Sequence, residues 1–234
     1  MTAPPSLATA TRGYRVLKQW HWQQLFQTQE PLHHDQHSTH LPATPRQTSV
    51  VVNQVYPLRQ DERYRKNALQ PIVPEPTTYW LVHPILKKEL SRLEANGFIS
   101  TIQTWINDDS DRSQQWRHMQ QKYATDRWAL LNEQDKQFLM QQKWAKRFQE
   151  IGIGGVRGWQ KDGPTKLKCL HLHYAHYLAQ RAEHYDVLKE WAGVESIEEV
   201  REQHHGSTEA VQPPPPDWNL AGKRVHEELW CKLW

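Results

Sequence analysis

Within "LKCLHLHYAHYLAQ" one of the chain's two cysteines, Cys169, stands beside His171, His173 and His176, three of its fourteen histidines. A thiolate next to an imidazole is either a nucleophile with its base or a pair of soft metal ligands. In a continuous helix with about 100° between residues, Cys169, His173 and His176 fall within about a 60° arc, and His171 points to the opposite side. That spacing nominates Cys169, His173 and His176 as a metal set. A divalent metal suits these residue types, but it is not the favoured reading. The alternative is structural, because cysteine is commonly buried and buried histidines often serve only to satisfy polar neighbours.

The stretch before this motif, "GIGGVRGWQKDGP", is rich in glycine and positive charge. Gly154 and Gly155 let the backbone approach an anion, and Arg157, Lys161, Lys166 and Lys168 surround the start of the next helix. This chemistry points to a small phosphate-bearing ligand, against the alternative of a hinge with solvated lysines. Neither familiar phosphate fingerprint is present: the third glycine of a dinucleotide loop is missing, and no Gly-Lys-Ser/Thr occurs. Tryptophans interleaved with bases in "RGWQK" and "QQKWAKRFQ" fit an RNA-binding or assembly-associated protein as the second reading. A formal charge of +3 gives that reading little support. The sequence contains no G-x-S-x-G, H-E-x-x-H or C-x-x-C, so common hydrolase and zinc-protease classes drop out and the reaction stays unassigned.

The elements that must position these residues follow from periodicity. "TSVVVNQVYPL" (48–58) and "TTYWLVHP" (77–84) are β-branched and aromatic and predict strands. Pro84 opens a helix through "ILKKELSRLEANG" that Gly97 stops. "FISTIQTWIN" (98–107) fits a strand or a helical turn equally well. From Asp108 to Glu150 the spacing predicts helices broken near Asn132–Asp135, with acids and a serine at the start. A helix carries the Cys/His motif, an acidic helical insert and a proline linker occupy 181–216, and "NLAGKRVHEELWCKLW" predicts a last helix. The expected class is α+β, predominantly helical with a small sheet.

Hydrophobic residues make up 37% of the 234 residues, with twelve tryptophans and fifteen prolines. Mean hydropathy is −0.88. One packed domain with polar extensions accounts for this, namely 49–180 with 217–234. Residues 1–48 read as a leader and a His/Pro-rich linker, and 1–45 and 204–216 are expected to be dispensable for folding. His33, His34, His37 and His40 lie in that linker, where the prolines oppose pre-placed metal ligands. No apolar run reaches the roughly 18 residues of a membrane span. Two cysteines make no disulfide framework, which favours a reducing intracellular setting. The acid-free N-terminus has the composition of a mitochondrial or plastid transit peptide; the alternative is an ordinary leader on a cytoplasmic protein.

Three stretches in order resemble the uncharacterised bacterial family catalogued as domain of unknown function 501. "TTYWLVHPILKKELSRLEANGFI" is similar to that family's aromatic strand, Cys- or His-Pro step and Ser-Arg-Leu-Glu helix. "GIGGVRGWQKDGPTKLKCLHLHYAHYLA" is similar to its Gly-Gly segment, Lys-Cys-Leu-His and Ala-His. "NLAGKRVHEEL" resembles its Asn-Pro-x-Gly segment, with Leu220 and Ala221 in the middle positions. The resemblance carries no known reaction. It selects Lys168, Cys169, His171 and His176, so only Cys169 and His176 are shared with the helical-face selection. It also adds His83, where the family places Cys or His. Cys169, His171, His176 and His83 are therefore the candidate catalytic residues.

Overall fold

The computed structural model describes residues 15–22, 25, 50–60, 72–141, 145–154, 166–192 and 218–233. Within them lie five strands, β1 (Val16–His21), β2 (Val50–Val55), β3 (Leu58–Gln60), β4 (Ile72–Pro74) and β5 (Tyr79–Leu81). Seven helices follow: α1 (Pro84–Ala95), α2 (Phe98–Asn107), α3 (Ser110–Ala129), α4 (Glu133–Met140), α5 (Ala145–Glu150), α6 (Leu170–Ala192) and α7 (Leu220–Leu233). The chain is α+β and predominantly helical, as its periodicity implies.

The main sheet is antiparallel in the order β1-β2-β5, with Val52 paired to Trp20 on one side and to Leu81 on the other. β3 and β4 form a separate antiparallel pair. The Cys/His helix α6 packs against β5 and β2, and α7 lies along α6. From Leu170 to Ala182 nearly every α6 side chain is buried or half-buried. A helix covered on all sides is a central element, which explains why its apolar residues do not form a single stripe. The core around it gathers Val51, Leu81, Leu90, Ile106, Met119, Leu178 and Val225.

Local chemistry accounts for the boundaries. Pro84 occupies the first turn of α1, and Gly97, at φ 80°, makes the left-handed turn that separates α1 from α2. The stretch 98–107, readable as strand or helix from sequence, is therefore helical and buries Ile102 and Ile106. Asp109 caps α3 by accepting the Arg112 N–H, and Asn132 caps α4 by accepting the Asp135 N–H, which places the break where the sequence put it.

Two boundaries differ from the compositional reading. Part of the 1–48 segment is not an extension, because β1 lies within it and Trp20, Trp22 and Leu25 are each about 1% exposed in the core. Leu17, Lys18 and Gln19 are exposed in a row, and within β1 Trp20 alone is buried, so the strand carries no alternating pattern by which its sequence could be recognised. Expecting all of 1–45 to be dispensable for folding is thus corrected for this stretch. At the other end, α6 continues unbroken through 181–192, so the start of the stretch expected to be an acidic insert prolongs the motif helix. The His-rich stretch 33–40 and the proline-rich 204–216 lie outside the described residues.

Candidate functional site

Helix α6 begins at Leu170, so Cys169 precedes it and does not share its 100° spacing. That one-residue offset reassigns the thiol. Cys169 Sγ lies 3.6 Å from His171 Nδ1, and the same nitrogen is 3.2 Å from Glu94 Oε1 at the end of α1. The thiol is free and half-buried. The His171 and Glu94 side chains are 19% and 25% exposed, enough for a small ligand to reach them. Among the described residues, Glu94, Cys169 and His171 are the one group of three whose potential ligand atoms all lie within 4.8 Å of one another.

His171 is held from behind. Its Nε2 is 3.0 Å from the Lys87 carbonyl oxygen and 3.4 Å from Ser91 Oγ, both on α1. A carbonyl can only accept, so Nε2 carries a proton and Nδ1 is the atom turned toward Cys169. The hydrogen bond to Cys169, aided by those to Lys87 and the charge of Glu94, raises the His171 pKa to about 9. Glu94 also accepts the Leu170 N–H at 2.6 Å, placing a carboxylate at the positive end of α6. The first free donor of that helix is thereby taken by the protein itself.

The other two motif histidines are inside. His173 and His176 are 1% and 3% exposed and meet at Asn219, just before α7. Asn219 Nδ2 donates to Nδ1 of His173 and to Nδ1 of His176, each at 3.2 Å. Its Oδ1 accepts the Gly222 N–H at 3.0 Å and so caps α7. An amide nitrogen can only donate, which leaves both imidazoles neutral with the proton on Nε2. Burial lowers both pKa values to about 3. The His173 ring packs on Trp116, and the His176 ring lies between Tyr79 and Tyr123. Gly222 is required here, since a Cβ would strike the His173 carbonyl and the Tyr177 side chain.

The face expected to unite Cys169, His173 and His176 thus does not form a single site: two members are core and the third joins His171. His83 is 2% exposed, at the start of α1, with its ring tilted against Trp22 at a centroid distance of 4.8 Å. Lys166 and Lys168 are exposed beside Cys169. Gly154 adopts φ 85° and is buried. A Cβ on its neighbour Gly152 would overlap the Gln120 side chain, whose Oε1 accepts the Ile153 N–H at 2.6 Å, so close packing on α3 calls for that glycine. Gly155, Arg157 and Lys161 lie outside the described residues.

Glu94 and Asn219 were not singled out from residue chemistry. A signal for Glu94 existed: an acid in the last turn of a helix faces the negative end of its own dipole and needs another partner. The resemblance stretches contained both residues, and the structure shows what those stretches do together. Ser91 and Glu94 of "SRLEANG" meet Cys169 and His171 of "KCLH". His173 and His176 meet Asn219 and Gly222 of "NLAG".

A family model described as "Protein of unknown function (DUF501)" matches residues 43–192, more than half of the chain. No curated protein and no solved structure matches the chain.

Proposed function

The chain belongs to the DUF501 family, and we propose that its functional site is the thiol–imidazole pair Cys169–His171, buttressed by Glu94, acting on a small phosphate-bearing ligand. The observation that carries this reading is the 3.6 Å approach of Cys169 Sγ to an imidazole whose far nitrogen is anchored on the Lys87 carbonyl. A nucleophile, an acid/base beside it and a group that orients the base are the parts of nucleophilic catalysis. At neutral pH His171 is an imidazolium, with a proton and a positive charge directed at the sulfur.

His173, His176 and His83 serve as scaffold in this reading, because all three are buried and engaged with core side chains. Recognition of phosphate falls to the exposed Lys166 and Lys168, since Glu94 takes the Leu170 donor at the helix end. A removable targeting peptide, if the chain has one, must end before β1, because Trp20 and Trp22 belong to the core.

The test is alkylation of the full chain by iodoacetamide at neutral pH, with Cys169 and Cys231 followed separately by peptide mass mapping. Cys169 is expected to react the faster, and His171→Ala to slow it by about tenfold or more. Members of a panel of nucleotides and phosphorylated metabolites are expected to protect it, with protection weakened in Lys166→Ala/Lys168→Ala. Equal rates at the two cysteines together with no effect of His171→Ala would overturn the reading.

A further inference from the structure

The Glu94, Cys169 and His171 donors satisfy a stricter geometric condition than a thiol–imidazole pair needs. We infer that they form a three-ligand site for a thiophilic divalent cation of the zinc class, with a fourth position left to solvent or ligand. The inference rests on the proposed functional site being at these residues and adds a cation that governs access to the thiol.

Distances come first. Around a tetrahedral zinc ion, with metal–sulfur about 2.3 Å and metal–nitrogen or –oxygen about 2.0–2.1 Å, neighbouring ligand atoms stand about 3.3–3.6 Å apart. The Cys169 Sγ to His171 Nδ1 separation is 3.6 Å, and His171 Nδ1 to Glu94 Oε1 is 3.2 Å. The remaining edge, sulfur to carboxylate oxygen, is within 4.8 Å, so all three donors lie within reach of one ion after a small side-chain adjustment.

The surroundings fit as well. Metal-bound imidazoles characteristically donate their other N–H to a carbonyl or carboxylate, which fixes the ring and its tautomer. His171 does this through Nε2 to the Lys87 carbonyl at 3.0 Å, and Nδ1 becomes the ligand as the cation displaces its proton. Glu94 Oε1 is steadied by the Leu170 N–H at 2.6 Å and keeps a second lone pair for a cation. Thiolate, imidazole and carboxylate together favour zinc over magnesium or calcium, which take oxygen ligands. Three protein ligands on a half-buried surface leave one position open, the arrangement of reactive rather than purely structural zinc sites. A cation here also ties the last turn of α1 to the first residues of α6.

The experiment titrates the full chain with zinc against a chromophoric chelator and repeats the titration with cobalt(II) as a spectroscopic probe. One zinc per chain is expected, with a sulfur-to-cobalt charge-transfer band in the near ultraviolet. Cys169→Ser and His171→Ala are each expected to weaken binding by more than about 100-fold, beyond the range usual for outer-shell partners. Glu94→Gln keeps an acceptor for the Leu170 N–H, so it should fold while binding zinc at least about tenfold more weakly. Circular dichroism of each variant checks the fold. Absence of stoichiometric zinc, absence of the sulfur–cobalt band, or unchanged affinity in all three variants would overturn the site; the last would move the cation elsewhere, such as the histidines at 33–40. Alkylation separates this from the thiol reading. Fast alkylation of metal-free Cys169 that zinc does not suppress removes the cation and leaves the reactive thiol. Slow alkylation of the metal-free protein with stoichiometric zinc does the reverse.

Discussion

Asn219 joins the last helix to the motif helix through one side chain, and Asn219→Ala measures what that junction contributes. The side chain is fully buried and uses its oxygen for the Gly222 N–H and its nitrogen for two imidazoles. Losing the cap costs about 1 kcal/mol. Each imidazole Nδ1 left without a donor in the core costs about 1–3 kcal/mol. Contributions that share one side chain do not add fully, so the net loss is roughly 3–5 kcal/mol. Against a typical stability of about 5–15 kcal/mol this is a large share. At about 2–4 °C per kcal/mol for a chain of this size, thermal unfolding followed by circular dichroism at pH 8 should shift down by roughly 10 °C. Asn219→Asp is the discriminating companion. It retains an acceptor for Gly222 but has nothing to donate, and its carboxylate favours protonated imidazoles. Its deficit relative to the native chain should therefore shrink on acidification, whereas that of Asn219→Ala should not. A shift below about 3 °C for Asn219→Ala, or identical pH behaviour of the two variants, would refute the assignment of both histidines to this one amide.

Acid sensitivity follows from the same pair. His173 and His176 have folded pKa values near 3, below the ordinary value of about 6.5, so between these limits the unfolded chain binds more protons than the folded one. Stability is fully present above about pH 6.5 and falls on acidification, by up to about 1.4 kcal/mol per pH unit for each histidine; urea unfolding at stepwise lower pH checks the slope, and a flat profile from pH 7 to 5 would contradict it. His171 works in the other direction. Its raised pKa of about 9 contributes stability that is present below pH 6.5 and lost as pH rises through 9, so His171→Ala should remove an alkaline decline in urea stability. Trp20→Ala and Trp22→Ala should each cost about 3–5 kcal/mol, as buried aromatics do. Denaturant midpoints unchanged in both would return this segment to the leader.

Periodicity and end chemistry were enough to recover most elements. Pro84, Gly97, Asp109 and Asn132 act on their immediate neighbours, so the helices they begin or end are legible without the rest of the chain. Strands β2 and β5 are legible for the same reason: both are buried and β-branched or aromatic. Strand β1 was hidden because its partners supply what its own composition lacks. The two-sided burial of α6 was hidden too, since no single stripe distinguishes a core helix from a polar one carrying histidines.

The site divided along the same line. The motif "KCLHLHYAH" drew attention to the right segment through residue type alone. Which histidine met the cysteine depended on where α6 began, and that start is set by Glu94, a residue 76 positions away that accepts the Leu170 N–H. With Leu170 as the first helical residue, Cys169 stands outside the helical spacing and turns to His171, while His173 and His176 point inward to Asn219. Sequence thus determined the donors and their local order. Tertiary structure decided their partners, because a helix's first turn lacks internal acceptors for its N–H groups and takes them from whatever packs against it.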